Sequence, residues 1–244
     1  MRLAIDSYRA LAEPAGLSED VTLHEAAPLR AFGAWLENAR GAARPQRPEQ
    51  ELLAEHHLMQ AVLGAMEEES RRLLGGQPLR PEFWRGAVEF IGNFSHRVHR
   101  LKEEQILFPA LEAWGLLEAE ACERLRDDHE ALKDLTWLLC DGVHDGEWEK
   151  VFRSVATYTG RMRVHLEAEE GGLLAPGLAN VGAERMDPLS DGFARLEAET
   201  LGAGGRLRFL EISRSLCLDV GIALPEAGLA ERAPSGLGPT LRVH

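Results

Sequence analysis

One pattern occurs twice in this 244-residue chain, and it strongly limits how the chain can fold. Each copy begins with an acidic residue followed by histidine, Glu55-His56 in the first and Asp128-His129 in the second. Each copy then has histidine followed four residues later by two glutamates, and after these a leucine and a nearby proline. These later segments are His99-Arg-Leu-Lys-Glu-Glu104 and His165-Leu-Glu-Ala-Glu-Glu170. A repeat of this length predicts one helical hairpin written twice and packed as a pseudo-twofold bundle.

The apolar residues recur at helical spacing through most of the chain. Ala, Leu, Glu and Arg dominate, and no stretch alternates convincingly at period two. The pattern predicts four long helices over about 49–74, 81–114, 116–140 and 147–170, with Pro109 bending or ending the second. Gly171-Gly172 and Pro176 are expected to break the fourth. Short connections between long helices favour an all-α, up-down four-helix bundle.

The two ends of the chain are harder to interpret. We expect residues 1–48 to form an N-terminal helical extension, 49–178 the bundle, and 179–244 a C-terminal helical extension and tail. Weaker helices are predicted around 184–201 and 205–222. Their apolar residues must bury against something, and the bundle, a second copy of the chain in a homodimer, and a protein partner are all compatible.

Composition excludes several function classes. The net charge of −13, from 27 basic and 40 acidic residues, argues against nucleic-acid or anionic-membrane partners. The first residues lack the apolar stretch of a signal peptide, and no run approaches the roughly 20 residues of a spanning helix. Three isolated cysteines do not suggest a disulfide framework, so a reduced, cytoplasmic setting is expected.

The repeated histidines and glutamates predict a metal centre. Residues four apart lie on one helix face, so an imidazole and a carboxylate can reach one ion. His56 and His129 are in line with apolar residues, which places four imidazoles and two carboxylates inside the bundle. Burying unpaired carboxylates costs several kcal/mol each, and a cation removes that cost. A structural bundle with helix-facing histidines and surface glutamates is the alternative.

The donor types narrow the choice of metal. Imidazole and carboxylate without thiolate suit iron or manganese and, less specifically, zinc. Carboxylates at matched heights on the second and fourth helices could bridge two ions about 3.5–4 Å apart. The ferritin-like Glu-x-x-His motif is missing, which disfavours that class of di-iron protein.

These motifs together resemble the hemerythrin family in its bacterial, HHE cation-binding form, over about residues 49–178. The resemblance implies a non-haem di-iron centre with an oxo or hydroxo bridge. By position, His56 and His99 would bind one iron and His129 and His165 the other, with Glu103 and Glu169 bridging both. The implied ligand is O2, nitric oxide or peroxide.

One departure from the family bears on function. Oxygen-carrying hemerythrins have another histidine one turn after the ligand on the third helix, where this chain has Lys133. An iron pair with open positions should oxidise readily, which favours sensing, redox chemistry or iron handling over simple O2 carriage. A di-iron peroxidase or oxidase and a redox-inert structural metal bundle remain the alternatives.

Three further residues are candidates for the outer shell or the ligand pocket. His96 lies one turn before His99, and its counterpart in the repeat is Met162. Tyr158 lies on the same stripe as His165 and could direct a hydroxyl toward a bound ligand or simply pack in the core. Lys133 could enter the pocket or extend outward to solvent. Glu104 and Glu170, next to the bridging acids, are expected to be solvated or salt-bridged.

Overall fold

The computed structural model describes residues 47–174, 178, 180–202 and 205–222. These ranges contain six helices and no strand. Residues 1–46 of the predicted N-terminal extension and residues 223–244, which include the predicted tail, lie outside the described residues. The described helices are α1 Pro48–Leu74, α2 from Pro81 to Ala113, α3 Ala119–Asp145, α4 from Trp148 to Leu174, α5 Ala183–Leu201 and α6 Gly205–Asp219.

Prolines and glycines set several helix ends. Pro48 and Pro81 stand in the first turns of α1 and α2, where a missing N–H costs nothing. Gly146 ends α3 with a left-handed backbone, φ 70°, that a side chain would strain. Because the connections are short, consecutive helices among α1 to α4 run antiparallel, as predicted for an up-down bundle.

The second and fourth helices contain wider turns near the repeated motifs. In α2, π-helical segments at Ile91–His99 and Glu103–Leu107 alternate with α-helical segments at Pro81–Phe90, Arg100–Lys102 and Phe108–Ala113. In α4, Trp148–Glu169 is α-helical and Glu170–Leu174 is π-helical. Helical winding therefore continues past Pro109 and through Gly171-Gly172, where the sequence suggested breaks. π-Turns lack the usual i→i−4 bond, so a proline just after one disrupts little, and they often mark functional sites.

The bundle core has two hydrophobic clusters with a polar layer between them. One cluster contains Trp84, Phe90 and Tyr158, and the other contains Leu107 and Phe108. On each of α1 to α4 the repeated histidines fall between residues of the two clusters. The fold thereby places polar side chains in a water-poor layer, with apolar packing above and below.

The C-terminal helices pack mainly on one side of the bundle. Helix α6 lies against α1 and α2, and α5 lies against α1, α2 and α6. Phe209 of α6 contacts the rings of Phe90 and Phe94, with ring centroids 6.3 and 5.8 Å apart. Among the open alternatives, the described part of this extension buries its apolar face on the bundle. The domain bounds at 48 and 178 stay predictions.

Within the described ranges, every helix is too short or too polar to cross a membrane.

Candidate metal centre

The six side chains singled out by the repeat converge in two groups inside the bundle. His56 and His99 form one group, His129 and His165 form the other, and both groups share Glu103 and Glu169. Within each group the donor atoms lie within 4.8 Å of one another, and all six residues are buried. The arrangement is that of two adjacent cation positions with a pair of carboxylates between them.

The distances between donor atoms suit metal coordination. Nε2 of His56 lies 3.4 Å from Glu169 Oε2, and Nε2 of His99 lies 3.4 Å from Glu103 Oε1. Nε2 of His129 lies 3.3 Å from Glu103 Oε2, and Nε2 of His165 lies 3.1 Å from Glu169 Oε1. Two ligands about 2.1 Å from one ion and at right angles are separated by about 3 Å. The observed spacing therefore leaves room for an ion at each position.

Most of these donor atoms make no hydrogen bond of good geometry within the described residues, and their nearest polar neighbours are one another, at 3.1–3.4 Å. They are Nε2 of His56, His99 and His129, and both carboxylate oxygens of Glu103 and Glu169. Buried polar atoms are almost always paired, since an unpaired one costs roughly 1–3 kcal/mol. Seven such atoms facing one another at the bundle centre are the strongest indication that the site fits metal ions.

The outward nitrogens of three imidazoles contact carboxylates. Nδ1 of His56 is 3.1 Å from Glu170 Oε1, and Nδ1 of His129 is 2.8 Å from Glu104 Oε1. Each of these glutamates comes directly after one of the two shared glutamates, Glu103 or Glu169. Within each Glu-Glu pair, the first residue faces the inward Nε2 atoms and the second faces an outward Nδ1 atom. Glu104 is also paired with Arg100 at 2.9 Å, in line with the predicted salt bridge. A carboxylate at Nδ1 fixes the tautomer that leaves Nε2 free for a metal.

The remaining two imidazoles break the symmetry of the repeat. Nδ1 of His99 is 2.9 Å from Glu55 Oε2, and both residues are buried. The corresponding pair, His165 Nδ1 and Asp128 Oδ2, is 4.0 Å apart, too far for a hydrogen bond. Asp128 instead accepts a hydrogen bond from Arg161 at the surface. The His56 and His99 position thus has both imidazoles held by carboxylates, and the other position has one.

A buried ammonium stands behind Glu55. Nζ of Lys102 lies 2.6 Å from Glu51, 2.5 Å from Glu55 and 2.9 Å from Glu197 of α5. These three carboxylates could by geometry hold a metal ion, but Lys102 already supplies the cation among them. Arg206 of α6 adds a second positive charge, 2.7 Å from Glu51. We call these five residues the Lys102 cluster.

The surrounding carboxylates favour protonation of two imidazoles, those of His99 and His129. Burial lowers the pKa of His99, but the charges of Glu103 and Glu55 outweigh burial and raise it to about 10. Burial likewise opposes protonation of His129, and its contacts with Glu103 and Glu104 raise its pKa to about 11. Burial raises the pKa of Glu103, while His99 and His129 hold it well below its usual range. The proton is therefore the competitor that a metal ion must displace.

A small cavity adjoins the site on the side of His129 and His165. It has about the size of one water molecule, and its lining includes Ser95, His96, Leu132 and Met162 beside the imidazoles. His96 Nε2 lies 2.7 Å from Thr136 Oγ1, whose hydroxyl donates to Leu132 O. Burial, and then the nearby charge of Arg100, lower the pKa of His96 to about 4. The imidazole is thus a neutral hydrogen-bond donor to Thr136.

The other two outer candidates occupy different environments. Tyr158 is buried, with Ser95 and Thr136 as polar neighbours of its hydroxyl, and Thr136 also contacts His96. Burial raises its pKa, so the phenol keeps its proton. Lys133 is 42% exposed and forms an ion pair with Glu130, which places its ammonium at the surface rather than in the cavity.

Comparison with known families identifies the bundle. Residues 47–176 match the family described as the hemerythrin HHE cation binding domain. The chain belongs to the hemerythrin family. The hemerythrin match spans α1 to α4, which carry all six converging side chains, and it makes cation binding the property of this domain. No curated protein and no solved structure matches the chain.

Some residues around the hemerythrin site were not assigned from sequence. Glu104 and Glu170 were expected only to be solvated or salt-bridged, although the doubled glutamate in both copies was a usable signal. The Lys102 cluster was missed because two of its members come from α5 and α6. Its signal was a mismatch in the repeat, since Ala168 and Arg124 stand where Lys102 and Glu51 would be expected.

Proposed function

We propose that this hemerythrin-domain protein holds two iron ions with an oxo or hydroxo bridge and binds or reacts with O2, peroxide or nitric oxide. The observation that carries the proposal is the set of seven buried, unpartnered donor atoms at the centre of the described bundle. His56 and His99 would hold one ion, His129 and His165 the other, and Glu103 and Glu169 would bridge them. Imidazole and carboxylate donors without thiolate suit iron.

An iron pair would supply electrons to a small oxidant, and the protein supplies the surroundings. The two hydrophobic clusters keep the layer poor in water, which strengthens electrostatic interactions within it. Glu55, Glu104 and Glu170 hold three imidazoles with Nε2 directed inward. Their negative charge makes the imidazoles better donors and favours the more oxidised state of a bound metal.

The cavity supports reactivity with a small ligand rather than a purely structural metal. It adjoins the imidazoles of His99, His129 and His165, and its volume is about that of one water molecule. Lys133 lies outside it, so the position that a further histidine fills in oxygen carriers is not taken by lysine. This favours sensing, redox chemistry or iron handling over simple O2 carriage.

Metal analysis and optical spectra test the proposal together. Anaerobically reduced protein should contain close to two iron ions per chain and change its visible absorption on adding air, peroxide or nitric oxide. Repeated consumption of peroxide with iron retained would indicate an enzyme, whereas one reversible change would indicate a binding or sensing protein. Zinc without iron, and no spectral response, would show that the metal is structural and would overturn the proposal.

A further inference from the structure

The two cation positions differ in what supports them from outside the bundle. Behind His99 lies Glu55, which is fully buried and held by Lys102. Behind His165 lies Asp128, 38% exposed, 4.0 Å away and paired with a surface arginine. The sequence repeat alone would make the positions equivalent, so the difference comes from residues outside the repeated motif.

The C-terminal helices contribute part of that support. Glu197 of α5 accepts a hydrogen bond from Lys102 over 2.9 Å and another from Arg206 Nε over 2.6 Å. Arg206 of α6 also bonds Glu51 at 2.7 Å and lies 3.7 Å from Glu55. Lys102 is fully buried, so every direction around its ammonium is filled by the bundle or by α5, whose Phe193 ring lies 5.6 Å away. The five-membered cluster is closed only when α5 and α6 are in place.

Charge makes this closure consequential. Glu51, Glu55 and Glu197 bring three negative charges, which Lys102 and Arg206 only partly neutralise. Glu197 accepts hydrogen bonds from both cations, so without it Lys102 and Arg206 would direct their freed donors to Glu51 and Glu55 and draw Glu55 away from His99. A misdirected Glu55 loses its hold on the His99 ring. Loss of such a partner typically weakens metal binding about 10- to 100-fold.

We propose that α5 and α6 complete the outer shell of one cation position only, so that Glu197 and Arg206 are positioning residues for the ion held by His56 and His99. That position then binds its ion more tightly than the position of His129 and His165, and it fills first. The inference rests on the proposed two-ion site, but it concerns a difference between the two ions and not their identity.

The test separates the two positions with single-ligand variants of the full chain. His165→Ala leaves the His56 and His99 position intact, and His56→Ala leaves the other. Each metal-free protein is titrated anaerobically with cobalt(II), whose visible absorption reports binding. We expect Glu197→Gln to weaken cobalt binding about tenfold in the His165→Ala background and less than twofold in the His56→Ala background. Glu199→Gln, an exposed acid on the same helix, should change neither.

A second pair of variants guards against a simple folding effect. Arg206→Met should reproduce the selective loss, and Arg206→Lys, which keeps the charge, should restore most of the affinity. Equal loss in both backgrounds, or none in the His165→Ala background, would overturn the inference. A protein without these substitutions that binds no more than one cobalt ion would instead overturn the two-ion site itself, so the two failures are distinguishable.

Discussion

His99 Nδ1 lies 2.9 Å from Glu55 Oε2 in a fully buried contact between α2 and α1. Glu55 is ionised, because its pKa is about 2. Burial raises this pKa, but the charge of Lys102 and the contact with His99 lower it by more. A carboxylate can only accept, so His99 Nδ1 must carry the proton and donate it. Glu55, which directly precedes His56 in the sequence, thus sets the tautomer of His99.

The two central glutamates should matter more than any one histidine. Glu103 and Glu169 belong to both donor groups, whereas His56 belongs to one. We therefore expect His56→Ala to reduce metal content from about two ions per chain toward one, and Glu103→Ala to reduce both. Elemental analysis of protein purified in parallel gives the stoichiometry. Glu123→Gln, an exposed acid on α3, serves as the control, and two retained ions in Glu103→Ala would contradict the shared-ligand arrangement.

The second glutamate of each pair should affect affinity without removing a ligand. Glu104→Gln and Glu170→Gln keep the shape of the side chain but remove the charge facing His129 and His56. Each substitution should weaken binding about 10- to 100-fold with two ions still bound at saturation. Competition with a chelator of known affinity measures this. Glu167→Gln, exposed on α4, should leave affinity unchanged, and a similar loss in that variant would point to a nonspecific charge effect.

Metal affinity should rise with pH. In the metal-free protein His99 and His129 have pKa values of about 10 and about 11, so both are protonated at pH 7 and release protons when metal binds. Affinity should gain up to about tenfold per pH unit for each proton released. Calorimetric titration in buffers of different ionisation enthalpy counts the protons. Binding without net proton release at pH 7 would contradict the raised pKa values.

The free energy of unfolding of the metal-free protein should fall as pH rises, whereas metal affinity rises. Raised pKa values mean that the folded state binds protons more tightly than the unfolded chain, whose histidines titrate near 6.5. The stabilisation from His99 and His129 is fully present below pH 6.5 and is lost as pH rises through about 10 to 11. Thermal unfolding of metal-free protein at constant ionic strength should show its melting temperature falling over this interval, and His99→Gln should flatten the fall. An equally steep fall in His99→Gln would contradict the raised pKa of His99.

Filling the cavity should slow reactions without removing metal. Leu132 lines the cavity, while Leu139, two turns later on α3, is equally buried in the same hydrophobic cluster but does not line it. Phenylalanine at either position should cost about 1–3 kcal/mol through overpacking. Only Leu132→Phe should also slow oxidation of the reduced protein by peroxide. Stopped-flow absorbance on samples of equal metal content measures the rate of oxidation in each variant. Equal rates in both variants would exclude this cavity as the ligand site.

Lys102 and Lys133 should differ sharply in their effect on stability. Lys102→Met would leave buried Glu51 and Glu55 without their ammonium partner, a change that typically costs about 3–5 kcal/mol. Lys133→Met removes an exposed pair with Glu130, worth at most about 1 kcal/mol. Urea unfolding of the metal-free variants measures both. A loss below 1 kcal/mol for Lys102→Met would mean that Arg206 alone neutralises the cluster.

Much of the site could be predicted because its information is local. Residues four apart on a helix share a face whatever surrounds them, so His99 with Glu103 and His165 with Glu169 could be paired from spacing. The copied hairpin then implied that the pairs meet, and the structure brings them together. Helix ends were less certain. The second helix continues past Pro109, which lies just after the π-helical turn Glu103–Leu107, and the fourth continues through Gly171-Gly172, which lie within the π-helical turn Glu170–Leu174.

Which contacts form in the outer shell could not be told from the sequence, because they join distant segments. Glu170 contacts His56, which lies 114 residues earlier in the sequence, and Glu197 contacts Lys102, which lies 95 residues earlier. The sequence by itself determined the helical bundle and the six side chains that converge inside it, since helical periodicity and the repeat encode them directly, and its motifs carried the resemblance to the hemerythrin family. Only the tertiary structure decided that α5 and α6 pack mainly against α1 and α2. A repeat specifies symmetric positions, but packing of unrepeated residues makes them chemically different.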